Sequence, residues 1–112
     1  MFNKLIIIGN ITKSLELVNL PNGEVVAKSS IATNDEYTLS NGVTKKDDCF
    51  VDFNIYGKLA QYASRSLKKG SKVLFEGSLV YEKWTNKQNQ PRNKHSFRVE
   101  TIKFLGYKKD EK

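Results

Sequence analysis

Residues 48–56 constrain the fold more than any other part of the chain, because two kinds of side chain alternate along them. One face of this segment carries Cys49, Val51, Phe53 and Ile55. The opposite face carries Phe50, Asp52, Asn54 and Tyr56. Such alternation predicts a half-buried β-strand whose first face lies in a core. The second face mixes two rings with an acid and an amide, a composition typical of a wet surface with exposed rings.

Four other segments have strand character and one has helical character. Their β-branched and aromatic residues predict strands over residues 4–11, 25–34, 72–82 and 95–106. Apolar residues recur at helical spacing over 58–69, and Gly70 follows as a predicted C′ residue. Residues 35–48 are polar and predict a long exposed loop or a loose hairpin, whereas residues 86–94 predict a polar, basic connection.

The predicted order is three strands, one helix and two strands. Five strands with a helix between the third and fourth match an all-β OB-fold, a five-stranded Greek-key barrel that binds oligonucleotides on the face of strands 2 and 3. Gly9, inside the first strand, predicts the bulge or sharp bend that such a barrel needs. The 112 residues fit one domain. We expect it to span residues 1–107, followed by a short charged end at 108–112.

The net charge of +7 is unevenly distributed along the chain. Residues 1–57 hold 5 basic and 7 acidic residues, and residues 58–112 hold 14 basic and 5 acidic ones. This excess favours a polyanionic partner such as nucleic acid, and it also fits a solvated basic surface. The single Cys49 can form no intramolecular disulfide, and no apolar run approaches the ~18 residues of a membrane span. We therefore expect a cytoplasmic protein with no membrane attachment.

The sequence carries no pattern of catalytic or metal-binding residues. His95 is the only histidine, so no zinc-ligand pattern exists. Cys49 shares its predicted face with Val51 and Phe53, so we expect a buried structural thiol and not a nucleophile. Neither a glycine-rich phosphate loop nor a dinucleotide fingerprint is present. The sequence therefore predicts a binding protein without catalytic activity, metal or cofactor.

Aromatic and basic residues together form the pattern that carries chemistry. Proteins that bind single strands without sequence preference stack bases on exposed rings and neutralise phosphates with cations. The candidate stacking rings are Tyr37, Phe50, Tyr56 and Trp84. The candidate phosphate-binding cations are Lys4, Lys58, Lys69, Lys72, Lys83, Lys87, Arg92 and Lys94. The remaining large rings that we predict to lie in the core are Tyr62, Phe75, Phe97 and Phe104.

Several short motifs occur together, in order and with fitting spacing, over about residues 2–106. They are NKLIIIGN at 3–10, LPNG at 20–23, AT at 32–33, YGKLA at 56–60, KKGS at 68–71, FEG at 75–77 and KWT at 83–85. In these motifs the chain resembles the bacterial single-stranded DNA-binding proteins. The resemblance implies an OB-fold protomer that assembles as a homotetramer, partly through its first strand. It also implies that single-stranded DNA wraps around the assembly during DNA replication, repair and recombination.

The resemblance also assigns roles to residues. The family's stacking aromatics align with Tyr37, Phe50, Tyr56 and Trp84. Its phosphate-contacting positions align with Lys4, Lys58, Lys69 and Lys83. Tyr37 and Phe50 replace tryptophans of other members, so stacking should survive with less ring area. Val18 and Asp52 occupy positions that are basic in some members, which leaves the path of the DNA there open.

The end of the chain departs from the family pattern. The family's barrel is normally followed by a flexible tail with an acidic, hydrophobic tip that recruits replication and repair enzymes. Here residues 108–112 read KKDEK, which predicts a shortened form or a short relative, so tail-mediated partners are not carried over. Two alternatives stay open: an OB-fold RNA-binding or primosome accessory protein, and a protein-interaction domain whose exposed rings form a subunit interface.

Overall fold

A computed structural model describes residues 1–107 as six strands and one helix. The strands are β1 (Leu5–Ile11), β2 (Glu16–Asn19), β3 (Val25–Thr38), β4 (Thr44–Tyr56), β5 (Ser71–Thr85) and β6 (Pro91–Tyr107). The helix, α1 (Gly57–Ser66), lies between β4 and β5. The predicted charged end at 108–112 lies outside the described residues.

Five of the strands close into a barrel. They pair in the order β1-β5-β6-β4-β3, and β1 completes the ring by pairing with β3 as well as β5. Neighbouring strands are antiparallel except β4 and β6, which run parallel where Phe53 faces Phe97. The predicted all-β OB-fold, with five barrel strands and one helix, is confirmed. The short strand β2 is an addition that pairs with β3 at the edge of the barrel.

Gly9 explains how β1 can pair with two strands, β5 and β3. The strand follows β5 along its length, and at Asn10 and Ile11 it also pairs with β3. A Cβ atom added to Gly9 would lie 2.3 Å from the carbonyl oxygen of Ala32 on β3. Any side chain at this position would therefore push β1 and β3 apart. The absence of a side chain lets the barrel close at this corner. The pairing of β1 with β5 continues through Gly9 without the bulge that was one of the two predicted forms.

The barrel interior is built around three phenylalanines. The ring of Phe75 meets Phe53 edge-on at a centroid distance of 4.8 Å and Phe97 at 6.2 Å. All three side chains are fully buried, so the core predictions for Phe75 and Phe97 are confirmed. The helix contributes Ala60 and Ala63 to the same cluster, where small side chains let α1 pack close to the strands.

The helix ends three residues before the predicted end. Its last residue is Ser66, and the backbone N–H of Leu67 donates to the carbonyl oxygen of Ala63 at 2.8 Å. Gly70 has a left-handed backbone, with φ of 93°, and its N–H donates to the carbonyl oxygen of Ile11 at 2.7 Å. Gly70 therefore ties the connection between α1 and β5 to the end of β1, and does not cap the helix.

Two hairpins extend the sheet past the closed barrel. β3 and β4 stay paired out to Thr38 and Thr44, so residues 35–48 form a hairpin and not a long loop, and the hairpin is regular where a loose one was predicted. Glu36 faces Lys46 across this hairpin, and opposite charges at facing positions favour the pairing of two strands. β5 and β6 form the other hairpin. Its connection is residues 86–90, shorter than the predicted 86–94, because β6 already begins at Pro91.

Three predictions about buried residues are wrong. Cys49 is exposed, because it lies where the β3–β4 hairpin leaves the barrel and its face no longer meets the core. Tyr62 is exposed on α1, because the helix turns Ala60 and Ala63 toward the core and Tyr62 lies outside that buried stripe. Phe104 is exposed near the end of β6, where its ring contacts Tyr107 edge-on at 5.0 Å. For the two strand residues, Cys49 and Phe104, alternation predicts the side on which a residue lies, but it does not predict where along a strand the core ends.

Candidate nucleic-acid interface

The outer side of β4 is the open face that the sequence alternation predicts. Phe53 and Ile55 are fully buried on the barrel side of the strand. Phe50 and Tyr56 lie on the other parity and are exposed to solvent. Sheet order places β3 on one side of β4, with β6 and then β5 on the other. The outer side of β4 is therefore the middle of a surface that spans four strands.

Trp84 of β5 belongs to the same surface. Asn54, on the outer parity of β4, donates a hydrogen bond to the Glu82 carboxylate at 3.0 Å, which places Glu82 on this side of the barrel. Trp84 follows two residues after Glu82 with no register shift between them, so it shares that side. We call the surface that carries Phe50, Tyr56 and Trp84 the ring face.

The three rings of the ring face are accessible, and the two on β4 are well separated. Phe50 is 66% exposed, Trp84 45% and Tyr56 37%. Phe50 and Tyr56 are six residues apart, which corresponds to about 20 Å along a strand. The guanidinium group of Arg98 lies over the ring of Tyr56, 5.7 Å from its centroid. Rings at this spacing can stack with bases of different nucleotides along one strand.

Tyr37, the fourth predicted ring, lies on the other side of the β3–β4 hairpin. Phe50 faces Ala32 across the two strands, and Tyr37 faces Lys45. Tyr37 is five positions after Ala32 on β3, an odd offset, so their side chains project to opposite faces of the ribbon. Tyr37 is exposed, but the structure does not bring it together with the three rings of the ring face.

A hydrogen-bonded network crosses the ring face between its rings. Asn54 is 5% exposed and accepts a hydrogen bond from the Lys28 ammonium at 3.2 Å. Its amide nitrogen donates to the Glu82 carboxylate at 3.0 Å and to the Ser96 hydroxyl at 3.3 Å. The Ser96 hydroxyl in turn donates to Glu82. The network joins β3, β4, β6 and β5 and holds their outer side chains in fixed positions.

The network keeps Glu82 negatively charged. The hydrogen bond from Ser96 lowers the pKa of the Glu82 carboxyl below its usual value of 4.5. Partial burial acts in the opposite direction, because it disfavours the charged form. The hydrogen bond from Asn54 and the positive charges of Lys28 and Lys94 lower the pKa further. At neutral pH the ring face therefore holds a fixed carboxylate between its rings.

Two of the predicted cations lie on the ring face itself. Arg92 faces Trp84 across β5 and β6, and Lys94 faces Glu82. The Lys94 ammonium forms a salt bridge with Asp52 at 3.0 Å. A third cation, Lys72, borders a shallow cavity beside Ala32, the partner of Phe50 across the strands. Arg92 and Lys94 therefore share the ring face with the three rings, and Lys72 lies near its border.

The other predicted cations are more scattered. Lys4 precedes β1 and forms a salt bridge with Glu76 at 2.9 Å. Lys58 is in the first turn of α1, two residues after Tyr56, and Lys69 lies beyond the end of the helix. Lys83 alternates with Trp84 and so points to the opposite side of β5, and Lys87 lies in the turn between β5 and β6.

The sequence predictions miss two cations of the ring face. Lys28 lies on the polar parity of β3, and its pairing with Asn54 brings it to the centre of the surface. Arg98 alternates with the buried Phe97 and Val99 and reaches Tyr56. Their polar parity is a usable sequence signal, but the contacts depend on which strands pair. Lys28 needs the pairing of β3 with β4, and Arg98 needs the parallel pairing of β4 with β6.

Other kinds of site receive no support from the part of the chain that the structure describes. No group of three or more histidine, cysteine or acidic side chains within residues 1–107 is arranged to hold a metal ion. In the same range, no helix combines the length and apolar character needed to cross a membrane.

Known proteins are similar to this chain in both sequence and architecture. Residues 2–105 match the model of the single-strand binding protein family. The single-stranded DNA-binding protein of Wolinella succinogenes is 45% identical over 108 residues, which are 96% of this chain and 67% of the relative. That of Helicobacter pylori is 34% identical over 98% of this chain and 62% of its own length. This chain thus spans about two thirds of the length of the relatives it matches.

Two solved structures extend the similarity to three dimensions. A Plasmodium falciparum SSB complex with ssDNA superposes with a TM-score of 0.85 at 25% identity, covering 94% of this chain and 96% of the other. A deletion mutant of the single-stranded DNA binding protein from Thermus aquaticus gives a TM-score of 0.81 at 24% identity, covering 93% of this chain and 50% of the other. The latter likeness concerns the fold alone. The family match covers residues 2–105, and the Wolinella succinogenes protein is 45% identical over 96% of this chain. The chain therefore belongs to the single-strand binding protein family.

Proposed function

We propose that this protein binds single-stranded DNA with little sequence preference and has no catalytic activity. The observation that carries the proposal is the ring face, where Phe50, Tyr56 and Trp84 are exposed beside Arg92 and Lys94. Every base has a flat face that can stack on an aromatic ring, so stacking tolerates any sequence. The cations add a phosphate contribution that weakens as salt rises.

The geometry of the ring face favours single strands over duplexes. In a duplex the faces of the bases are already stacked on one another, and the rings have no access to them. The rings of this protein lie on an open sheet surface, where a flexible strand can lay successive bases on them. The family to which the chain belongs supports DNA replication, repair and recombination as the processes it serves. Because its relatives are bacterial proteins, we propose that it serves these processes in the cytoplasm.

We propose that the protein acts as a homotetramer in which β1 forms part of the contact. Ile6 and Ile8 project from the outer side of β1 and are more than half exposed. Removal of this apolar strand face from water by a second copy is favourable, so it stabilises an assembly. Light scattering should give the mass of four chains. A monomeric mass at micromolar concentration would contradict this assembly.

Trp84 provides a direct test, because it is the only tryptophan in the chain. Its fluorescence is titrated with oligo-dT at low and high salt, and with a duplex of equal length as the control. We expect strong quenching by oligo-dT, weaker binding at high salt and little response to the duplex. Equal binding of duplex and single strand would overturn the proposal. Tighter binding of oligo-U than of oligo-dT would instead support an RNA-binding protein.

A further inference from the structure

Asp52 is an acidic side chain in the middle of the ring face. It lies on β4 two residues after Phe50, on the same outer parity. Its carboxylate contacts the Lys94 ammonium at 3.0 Å, and both side chains are about half exposed. A DNA phosphate that contacts Lys94 therefore comes close to a carboxylate that already occupies one side of this cation.

Lys94 differs in this respect from its neighbour Arg92. Arg92 donates to the neutral side-chain oxygen of Gln90 at 2.9 Å and makes no salt bridge within residues 1–107. Its charge is available to a phosphate without loss of an ion pair. Lys94 has to exchange or share its carboxylate partner when a phosphate binds. The two cations lie two residues apart on one strand, so they provide an internal comparison.

We propose that Asp52 acts as a built-in competitor of DNA phosphate for Lys94, and that it thereby limits both affinity and salt dependence. The inference rests on the proposed single-stranded DNA binding. In the free protein Asp52 neutralises Lys94. When a phosphate takes over Lys94, Asp52 loses its partner and takes up a cation from solution. That uptake offsets the counterion that the phosphate releases, so Lys94 adds little to the salt slope.

Removal of the Asp52 charge should free Lys94 for DNA. For Asp52→Asn we expect oligo-dT binding about two- to fivefold tighter at low salt, the range that an exposed ion pair corresponds to. The slope of log K against log salt should become steeper by about 0.7. The gain should consequently shrink roughly 2.6-fold between 50 and 200 mM salt. Binding is measured through the quenching of Trp84.

Asp47→Asn is the matched control. It makes the same change at an exposed residue of β4, five positions before Asp52 and on the opposite parity of the strand. This spacing is about 17 Å along the strand, beyond the screening length at physiological salt. We therefore expect the control to leave affinity and salt slope nearly unchanged. An equal gain in both variants would mean that net charge, and not the Asp52–Lys94 pair, determines the effect, and it would overturn the proposal.

A double-mutant cycle separates competition for Lys94 from direct repulsion of DNA by Asp52. In a Lys94→Gln background, Asp52→Asn should have no effect, because the cation for which the carboxylate competes is gone. A gain that persists in this background would contradict the proposed route. If the wild-type protein binds oligo-dT and Asp52→Asn binds identically at both salt concentrations, the inference fails while the proposed function stands. If neither protein binds, both fail.

Discussion

Phe50 faces Ala32 across β3 and β4, and this small partner leaves the ring of Phe50 two-thirds exposed. A large side chain on β3 would cover the ring from the side, as cross-strand neighbours on one sheet face are only about 5 Å apart. The pairing therefore leaves an apolar ring in contact with water. The ring of Phe50 is not part of the core, so core packing does not explain its presence. Its exposure is what a stacking platform requires.

Phe50→Ala should separate binding from stability. We expect affinity for oligo-dT to fall by about 1–3 kcal/mol, the usual contribution of one stacked base. The free energy of unfolding in urea should change by less than about 0.5 kcal/mol, because the ring is not part of the core. Tyr62→Ala on α1 is the control, since it removes another exposed ring away from the ring face. Wild-type affinity in folded Phe50→Ala would remove Phe50 from the binding surface.

Trp84 should contribute in the same way, with a graded response. Trp84→Ala is expected to weaken binding by about 1–3 kcal/mol, and Trp84→Phe by less, because a smaller ring still stacks. Both variants lack tryptophan, so binding is followed by the anisotropy of a labelled oligo-dT. If Phe restores nothing relative to Ala, then Trp84 acts through something other than its flat ring, and the stacking role is wrong.

The architecture was predictable wherever local pattern and burial agree. The alternation over residues 48–56 places Phe53 and Ile55 in the core, as observed. The β3–β4 hairpin was harder, because residues 35–48 contain few apolar side chains and their pairing depends on the partner strand opposite. The short strand β2 escaped prediction for a related reason: its four residues carry too little pattern to distinguish a strand from a turn.

The sequence predicts the exposed rings of the site, but it does not predict the hydrogen bonds and salt bridge that join its side chains. Strand parity alone places Phe50 and Tyr56 on the open face. The network around Asn54 joins Lys28 and Glu82, which are 26 and 28 residues away along the chain. Such contacts depend on which strands become neighbours in the closed barrel, and a single sequence carries no local signal for that. For the same reason, the sequence does not predict the salt bridge between Asp52 and Lys94.

The Glu82 carboxylate should make stability depend on pH in acid. Its pKa in the folded protein is lowered, first by the hydrogen bond from Ser96, so the folded state favours the charged form. A lowered pKa contributes stability that is present above the usual value of 4.5 and is lost as pH falls through the folded-state pKa. We therefore expect Glu82→Gln to be less stable than wild type at pH 7, with a difference that narrows below pH 4.5.

Urea unfolding at several pH values between 7 and 3 measures this difference. Ser96→Ala supplies the control, because it removes the hydrogen bond that lowers the pKa most. In the Ser96→Ala background the pH-dependent part of the Glu82→Gln effect should shrink. A stability difference between wild type and Glu82→Gln that stays constant from pH 7 to 3 would show that the charge of Glu82 does not stabilise the fold.

Gly9→Ala should damage the barrel although it changes a single hydrogen into a methyl group. In an ordinary strand, alanine in place of glycine stabilises by roughly 0.5–1 kcal/mol, because glycine loses more backbone entropy on folding. Here the new Cβ would lie 2.3 Å from the Ala32 carbonyl oxygen, so β1 and β3 would have to separate at the corner that closes the barrel. We expect a net loss of about 1–3 kcal/mol in the free energy of unfolding, as for other overpacked sites.

Gly77→Ala should behave like Gly9→Ala, because its Cβ would meet the backbone carbonyl of Arg98 on β6. Ser78→Ala, the neighbouring residue on β5, tests whether alanine itself is harmful in this strand, and it should change stability by less than about 0.5 kcal/mol. Urea unfolding followed by circular dichroism gives all three values. A Gly9→Ala protein as stable as wild type would mean that β1 and β3 do not need close contact at Gly9, and that the barrel closes by another route.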